Sequence, residues 1–305
     1  MKAFTALILI SLVVSLLILI SPIKAQEPLQ LIIMPDGSVF PDTNLLERNG
    51  NKYTFKGDIF GTIWVQTDNI VIDGAEHTIQ GHEITERRIN LDGPEPSRPY
   101  FKYALVKNLR IYNGVIFTVG SSNNSFIGNY FDHSSLEIVG FANYTGNLIK
   151  YNTFRNASIF YDYNKYGMDV ITENNFIERA RIFVGLAHAP IVDKNYWSNY
   201  TAKYPDAKEL GSSGIWDTPY VGDPFDGKEC IDYHPLVNPI TDFEIADFSN
   251  HNSTPTPSLS TASPTPISGA QTISPALLWV VLIVLPVAIL VVAIIFKRKS
   301  LFKKK

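Results

Sequence analysis

The feature that most restricts the fold is a short motif that recurs four times in the middle of the chain. It consists of an apolar residue, an asparagine three positions later and an aromatic residue two positions after the asparagine. The copies are Phe126-x-x-Asn129-x-Phe131, Ile149-x-x-Asn152-x-Phe154, Ile171-x-x-Asn174-x-Phe176 and Val192-x-x-Asn195-x-Trp197. The asparagines are 23, 22 and 21 residues apart. A period near 22 predicts a solenoid, in which stacked coils bury a shared interior.

A second apolar pair keeps step with the motif and indicates that each coil is built from strands. The pairs are Leu136/Ile138, Ile159/Tyr161 and Ile182/Val184. Both segments alternate with period two and are rich in β-branched and aromatic residues, which favours strands over helices. A leucine-rich repeat would need an L-x-x-L-x-L run before its asparagine, and a left-handed β-helix would need a hexapeptide period. The sequence therefore predicts an all-β fold, a right-handed, single-stranded parallel β-helix.

The recurrent asparagines are predicted to be structural. An asparagine at an inward turn can bond its amide to the same residue one coil away, and so satisfy backbone groups that the bend leaves unpaired. The predicted ladder consists of Asn129, Asn152, Asn174 and Asn195.

The coils are predicted to extend over residues 53–200, between an N-terminal cap at 26–52 and a C-terminal cap at 201–250. The polar, proline-bearing stretch 82–102 is predicted to be a loop that protrudes from the solenoid, and such loops often carry function.

The two ends of the chain are typical of an exported, membrane-anchored protein. Residues 1–25 match a signal peptide, and an uncleaved signal anchor is the alternative. Residues 275–296 carry no charge and, as a helix, would span about 30 Å of hydrocarbon. The basic tail 297–305 would stay in the cytoplasm, and the Ser/Thr/Pro-rich segment 251–274 is predicted to be a stalk. The expected location is the cell membrane, with a single pass and the β-helix outside.

The charge distribution argues against nucleic acid as a partner. The whole chain has a formal net charge of −3, but eight of its 26 basic residues lie in the two terminal segments. All 29 acidic residues lie between those segments, which leaves the predicted ectodomain with 18 basic residues and a net charge of −11. Such a surface repels phosphate backbones.

Three stretches resemble right-handed parallel β-helix proteins of the pectate-lyase-like superfamily. NIVIDGAEHTIQG (residues 69–81) resembles their opening coil, and the Asn-x-Phe ladder resembles the repeat of the NosD-type branch, named for a periplasmic protein linked to copper delivery. KNYWSNY (194–200) and GIWDTPYVGDPFDGKECIDYHPL (214–236) resemble the closing segments of that branch, although Trp216 replaces a glycine. The resemblance covers roughly residues 53–240 and implies the fold. In membrane-tethered form the chain is similar to archaeal cell-envelope proteins.

The resemblance leaves two chemical alternatives open, and the first is a polysaccharide hydrolase or lyase of the same fold. Glycoside hydrolysis needs two carboxylates that flank one bond. The position after the repeat aromatic holds Asp132, Arg155, Ile177 and Ser198, which is not an acidic pair. Asp132 and Arg155 are instead predicted to form an ion pair, and no catalytic residue is assigned.

The second alternative is a NosD-like accessory role in copper delivery. Copper(I) prefers converging Cys, Met or His ligands, but of these residues only Cys230 and His234 are close in sequence. A calcium site is a weaker candidate, because hard oxygen ligands on a glycine-bearing loop suit that ion. Its ligands would be Asp217, Asp223, Asp226 and Asp232. No metal site is assigned and no cofactor is expected, with calcium as the alternative.

The alternation of the strands favours a binding surface. If Ile159, Tyr161, Ile182 and Val184 point inward, Phe160 and Phe183 point outward one coil apart, and Tyr130 and Tyr196 point outward on another face. Exposed aromatic rings on a flat parallel sheet suit stacking against sugars. The sequence therefore predicts a cell-surface β-helix that binds a glycan or another envelope component without catalysis.

Overall fold

A computed structural model of the chain describes residues 27–81, 87–91, 103–139, 146–162, 169–185, 188–223 and 229–243. The predicted signal peptide 1–25, stalk 251–274, membrane segment 275–296, basic tail 297–305 and Asp226 lie outside these residues. Within the described ranges, no helix has the length and apolar character needed to cross a membrane.

Short strands make up most of the described chain, with one helix near its C-terminal end. In chain order they are β1 Leu29–Ile33, β2 Val39–Phe40, β3 Leu46–Asn49, β4 Lys52–Phe55, β5 Ile59–Val65, β6 Val71–Asp73, β7 Thr78–Gln80, β8 Arg87–Asn90, β9 Leu105–Lys107, β10 Arg110–Val119, β11 Ser125–Ile127, β12 Tyr130–Val139, β13 Leu148–Lys150, β14 Thr153–Arg155, β15 Ser158–Asp162, β16 Val170–Thr172, β17 Asn175–Ile177, β18 Arg181–Val184, β19 Ile191–Asp193, β20 Tyr196–Trp197, α1 Tyr200–Lys203, β21 Tyr220–Val221 and β22 Ile231–Asp232.

Two sheets wind around one interior, which confirms the predicted parallel β-helix as the fold. Sheet 1 has the order β2-β1-β5-β7-β10-β12-β14-β17-β20, and β8, β15 and β18 pair beside this path. Sheet 2 has the order β21-β22-β19-β16-β13-β11-β9-β6-β4-β3. The neighbours pair in parallel except at the ends, where β2, β3 and β21 pair antiparallel.

The register of the coils follows the sequence repeat. On sheet 2, Phe126 pairs with Ile149, which in turn pairs with Ile171. On sheet 1, Leu136 pairs with Ile159, and Ile159 with Ile182. All six side chains point inward and are at most 5% exposed. The repeat positions therefore stack directly above one another in the core.

The aromatic residues of the motif form one continuous stack inside the solenoid. Ring centroids are 4.7 Å apart between Phe131 and Phe154, 5.2 Å between Phe154 and Phe176, and 4.2 Å between Phe176 and Trp197. Tyr220, from the predicted C-terminal cap, extends the stack at 4.1 Å from Trp197. The core thus continues across the boundary predicted at residue 200.

Two segments that the sequence places outside the coils contribute strands to sheet 1. β1 lies in the segment 26–52 that was expected to be a cap, yet it pairs in parallel with β5, because Leu31 and Ile33 alternate inward and are fully buried. Residues 87–90 of the expected loop 82–102 form β8, which pairs with both β5 and β10. Ile89 of that strand is fully buried, so an inward apolar side chain holds part of the loop in the sheet.

After β22 the chain turns back along the outside of the solenoid. Leu236 forms a β-bridge with Tyr196. The backbone of Ile240 exchanges two hydrogen bonds of 2.8 Å with the side chain of Asn175. The ring of Phe243 stacks on that of Tyr151, with the centroids 5.1 Å apart. This C-terminal arm, residues 236–243, covers part of the outer face of sheet 1.

Candidate functional site

One column of outward side chains crosses sheet 1 and is rich in aromatic rings. Successive Cα partners in adjacent strands define it as Phe40, Ile32, Trp64, Asn90, Phe117, Glu137, Phe160 and Phe183. Because successive strand residues point to opposite faces, these side chains lie opposite the buried core positions. We call this set the outer column.

Phe160 and Phe183 stand at the C-terminal end of the outer column, as the sequence predicts. They are direct partners on β15 and β18, both are half-buried, and their ring centroids are 5.8 Å apart at 45°. Arg181 lies beside them on β18 and is exposed. Asp162 lies on the other side, close to the backbone of Gly185, where a Cβ would approach its Oδ1 to 2.5 Å. The two rings therefore sit between a cationic and an anionic side chain.

Tyr130 and Tyr196 lie in a different column of sheet 1 and are separated by two strands. The side chains between them belong to Thr153 and Asn175. The C-terminal arm is hydrogen-bonded to Asn175. The structure thus does not bring Tyr130 and Tyr196 into one surface, and the arm lies between them.

The predicted ion pair between Asp132 and Arg155 is confirmed and extends to a third residue. Arg155 Nη1 lies 3.4 Å from Asp132 Oδ2, and Arg155 Nε donates to Glu178 Oε1 at 2.9 Å. The hydrogen bond from Arg155 holds the pKa of Glu178 below its usual range. A general acid in glycoside hydrolysis needs a raised pKa. This arrangement therefore suits Glu178 to ion pairing rather than to proton donation.

A cleft of about 230 Å³ opens beside β18 at the C-terminal end of the solenoid. Its lining includes Arg179, Arg181, Asn199, Tyr220 and Asp223. Sequence reasoning missed this cleft because its residues come from three segments that only the closed fold brings together.

No family model, curated protein or solved structure matches the chain.

The four motif asparagines are buried at the bend between the two sheets and are linked along the axis. Asn152 donates its backbone N–H to Asn174 Oδ1 at 2.9 Å and its Nδ2 to the same oxygen at 3.0 Å. Its own Oδ1 accepts the corresponding pair of bonds from Asn129 at 2.9 and 3.0 Å. The remaining amide hydrogen bonds to backbone carbonyls such as that of Phe126, at 2.8 Å. Each side chain thus satisfies backbone groups on more than one coil.

Asp232, a weak calcium candidate from the sequence, terminates this ladder. It is fully buried, and both of its carboxylate oxygens accept hydrogen bonds. Oδ1 accepts the N–H groups of Lys194 and His234 at 3.0 and 3.1 Å. Oδ2 accepts Asn195 N, Asn195 Nδ2 and Trp197 Nε1 at 2.8, 3.2 and 3.0 Å. Burial raises the pKa of Asp232, and the hydrogen bonds from Trp197 and Asn195 act against that rise.

All five hydrogen bonds that the described residues make with the Asp232 side chain come from donors, so the position requires an acceptor at both oxygens. We expect Asp232→Asn, which changes almost no volume, to lower the free energy of unfolding by about 1–3 kcal/mol, because its NH₂ group would face a donor in either orientation. Chemical denaturation measures this loss. Asp217→Asn is the matched control, since Asp217 is an exposed turn aspartate that bonds Lys208 N and Thr218 Oγ1. Equal midpoints for the two variants would contradict the assignment.

A second ladder of the same kind lies at the other end of the sheet 2 strands. Asn124 N donates to Asn147 Oδ1 at 3.0 Å, and Asn147 N donates to Asp169 Oδ1 at 2.8 Å. Asp169 also accepts Asn147 Nδ2 at 3.1 Å and the hydroxyl of Tyr161 at 2.8 Å. A sequence signal for it existed, since each member stands two residues before an inward apolar residue of the repeat, at intervals of 23 and 22 residues.

The remaining metal candidates take part in separate contacts. Asp223 lies 4.0 Å from Lys203 Nζ, and His234 Nδ1 lies 2.6 Å from Asp193 Oδ1. Cys230 is buried, and burial raises the pKa of its thiol to about 12. Across the residues that the structure describes, no group of three or more His, Cys, Asp or Glu side chains could hold a metal ion.

Proposed function

We propose that the chain is an exported, membrane-anchored β-helix that binds carbohydrate at the cell surface without catalysis. The observation that carries the proposal is the pair Phe160 and Phe183, which stand in register one coil apart on an outward face. Parallel strands lie about 4.8 Å apart, so the pair offers two rings in line along the solenoid axis. Aromatic faces bury apolar area against a ligand at low entropic cost.

The side chains around the pair suit a polar ligand. Ser135 and Ser158 lie in the neighbouring outward column, next to Arg181. Hydroxyl, guanidinium and carboxylate groups beside aromatic rings can bond sugar hydroxyls while the rings stack. A purely apolar partner would leave these groups desolvated.

A non-catalytic role is favoured because Asp132 and Glu178, the acids on either side of Arg155, are both held in ion pairs with it. The anchoring part of the proposal depends on the uncharged stretch 275–296 and the basic tail 297–305.

Assignment to the NosD-type branch has support from the contacts between its two closing segments. Trp197 of the first segment donates to Asp232 of the second, and Tyr200 stacks 4.9 Å from Trp216. Trp216, which stands where the branch has a glycine, is thus packed against the first closing segment.

The proposal is tested by a glycan-array screen of the full chain, followed by titration of the hits. We expect Phe160→Ala with Phe183→Ala to weaken binding about 10-fold to 100-fold, because two rings lose stacking contacts of about 1 kcal/mol each. The melting temperature should change little, because both rings are half-exposed.

Tyr130→Ala, a half-exposed aromatic outside the outer column, is the matched control and should bind as wild type does. A wild-type chain that binds no glycan would contradict the proposal. Equal glycan affinity of the double variant and the Tyr130→Ala control would also contradict it.

A further inference from the structure

The N-terminal end of the outer column carries a second group of apolar side chains. Phe40 on β2, Ile32 on β1 and Trp64 on β5 are direct partners across three adjacent strands. Phe40 is 63% exposed and Trp64 is 38% exposed. No repeat marks them in the sequence, because the first copy of the motif begins downstream, at Phe126.

The shape of this N-terminal stripe favours a linear ligand. It is one side chain wide and three strands long, so Phe40 and Trp64 lie about 10 Å apart along the axis. A stable protein interface needs roughly 800 Å² on each partner, which a single file of three side chains does not supply. A polymer chain that runs along the axis would meet the two rings at separate units.

The surroundings of the stripe favour an uncharged, hydroxyl-rich ligand. The next outward positions on β1 and β5 hold Gln30 and Thr62, which are Cα partners. Their amide and hydroxyl groups donate and accept hydrogen bonds without charge. Uncharged polar groups beside an aromatic row complement a neutral saccharide, whereas an ionic partner would find no opposite charge at these positions.

The stripe also continues the column that contains Phe160 and Phe183. Four strand steps, or about 19 Å, separate Trp64 from Phe160. Between them Asn90 is only 2% exposed, and the guanidinium of Arg87 lies 3.6 Å from the ring centre of Phe117. The middle of the column is therefore covered, and its two ends are separate surfaces in one line.

We propose that Phe40, Ile32 and Trp64 form a second saccharide-stacking site, which binds a neutral glycan chain laid along the solenoid axis. The ligand class rests on the proposed function, whereas the site itself rests on the exposure and register of these residues. Two sites on one axis would hold a long chain by linked binding events, which raises the affinity without any new contact.

The test compares short and long chains of the same sugar. Each series of probes contains a disaccharide, which can occupy one site, and the soluble polymer of the same linkage. One series is a neutral β-1,4-glucan and the other a neutral β-1,4-mannan. They are titrated against the full chain in a detergent without a sugar headgroup. For the wild-type protein we expect one polymer molecule to bind at least about 10-fold more tightly than one disaccharide molecule. Phe40→Ala with Trp64→Ala should reduce the ratio of polymer affinity to disaccharide affinity several-fold. It should also lower the number of disaccharides bound per protein from two to one.

Leu210→Ala with Tyr233→Ala is the matched control, because these apolar side chains are 51% and 61% exposed on the C-terminal cap. It should keep the wild-type ratio and stoichiometry. The melting temperature of each variant shows whether it is folded. Trp64→Phe, which keeps an aromatic ring at this position, should bind more tightly than Trp64→Ala.

The outcomes separate this site from the Phe160 and Phe183 site. Unchanged stoichiometry in Phe40→Ala with Trp64→Ala, together with lost binding in Phe160→Ala with Phe183→Ala, would overturn the second site and leave the proposed function in place. The reverse pattern would support the N-terminal site and overturn the role of Phe160 and Phe183. Absence of saccharide binding by wild type would overturn both sites. A concentration-dependent dimer that Phe40→Ala with Trp64→Ala abolishes would overturn the N-terminal site alone.

Discussion

Asn152→Leu should lower the free energy of unfolding by about 3–5 kcal/mol, among the largest losses that we expect from a single substitution. Leucine has a similar size but leaves Asn129 N, Phe126 O and other buried groups without the bonds that the amide supplies. Each buried group left unpaired costs about 1–3 kcal/mol, and relaxation recovers part of the total. Equilibrium denaturation in urea measures the loss.

Asn195→Leu should cost about as much as Asn152→Leu, although it lies one coil from the end of the ladder. Asp232 replaces the missing coil by accepting two bonds from Asn195, so the terminal asparagine is as fully bonded as the central one. Asn199→Leu is the matched control, since Asn199 is exposed and its side chain makes one described hydrogen bond, to Tyr220 Oη. Wild-type stability in Asn152→Leu would show that the ladder does not hold the coils together.

Phe154→Ala should have an effect of similar size for a different reason. The ring is fully buried between Phe131 and Phe176, and its loss would open a cavity in the middle of the aromatic stack. Truncation of a buried phenylalanine costs about 3–5 kcal/mol. Phe160→Ala, an outward phenylalanine six residues later, should cost much less. Similar losses for the two variants would mean that the assignment of inner and outer faces is wrong.

The repeat predicted the core well because its residues recur at fixed intervals and each coil repeats the pairing of the last. The inward position of Tyr161 follows from alternation, although a buried hydroxyl is unfavourable unless it finds a hydrogen-bond partner. The structure explains it, since the hydroxyl donates to Asp169 on the following coil at 2.8 Å. Asp169 stands at a repeated position, but Tyr161 does not repeat, since its Cα partners on the adjacent strands are Ile138 and Val184. The periodicity therefore does not indicate that these two residues are partners.

The ends of the solenoid were harder to predict for the same reason. Asp232 lies 37 residues after Asn195 and outside the repeat, so the sequence indicates a candidate calcium ligand there rather than the end of the ladder. β1 and β8 lack the motif asparagine, and each pairs through only one or two inward apolar residues. Phe40 and Trp64 were therefore not assigned to the column that contains Phe160, because their register depends on those strands.

The most direct test of the central claim is a crystal structure of the chain with a bound oligosaccharide chosen from the array hits. The account predicts an intact oligosaccharide over Phe160 and Phe183, with its sugar faces against the rings and its chain along the solenoid axis. Density for a cleaved product, or for sugar only in the cleft lined by Arg179 and Asn199, would contradict it.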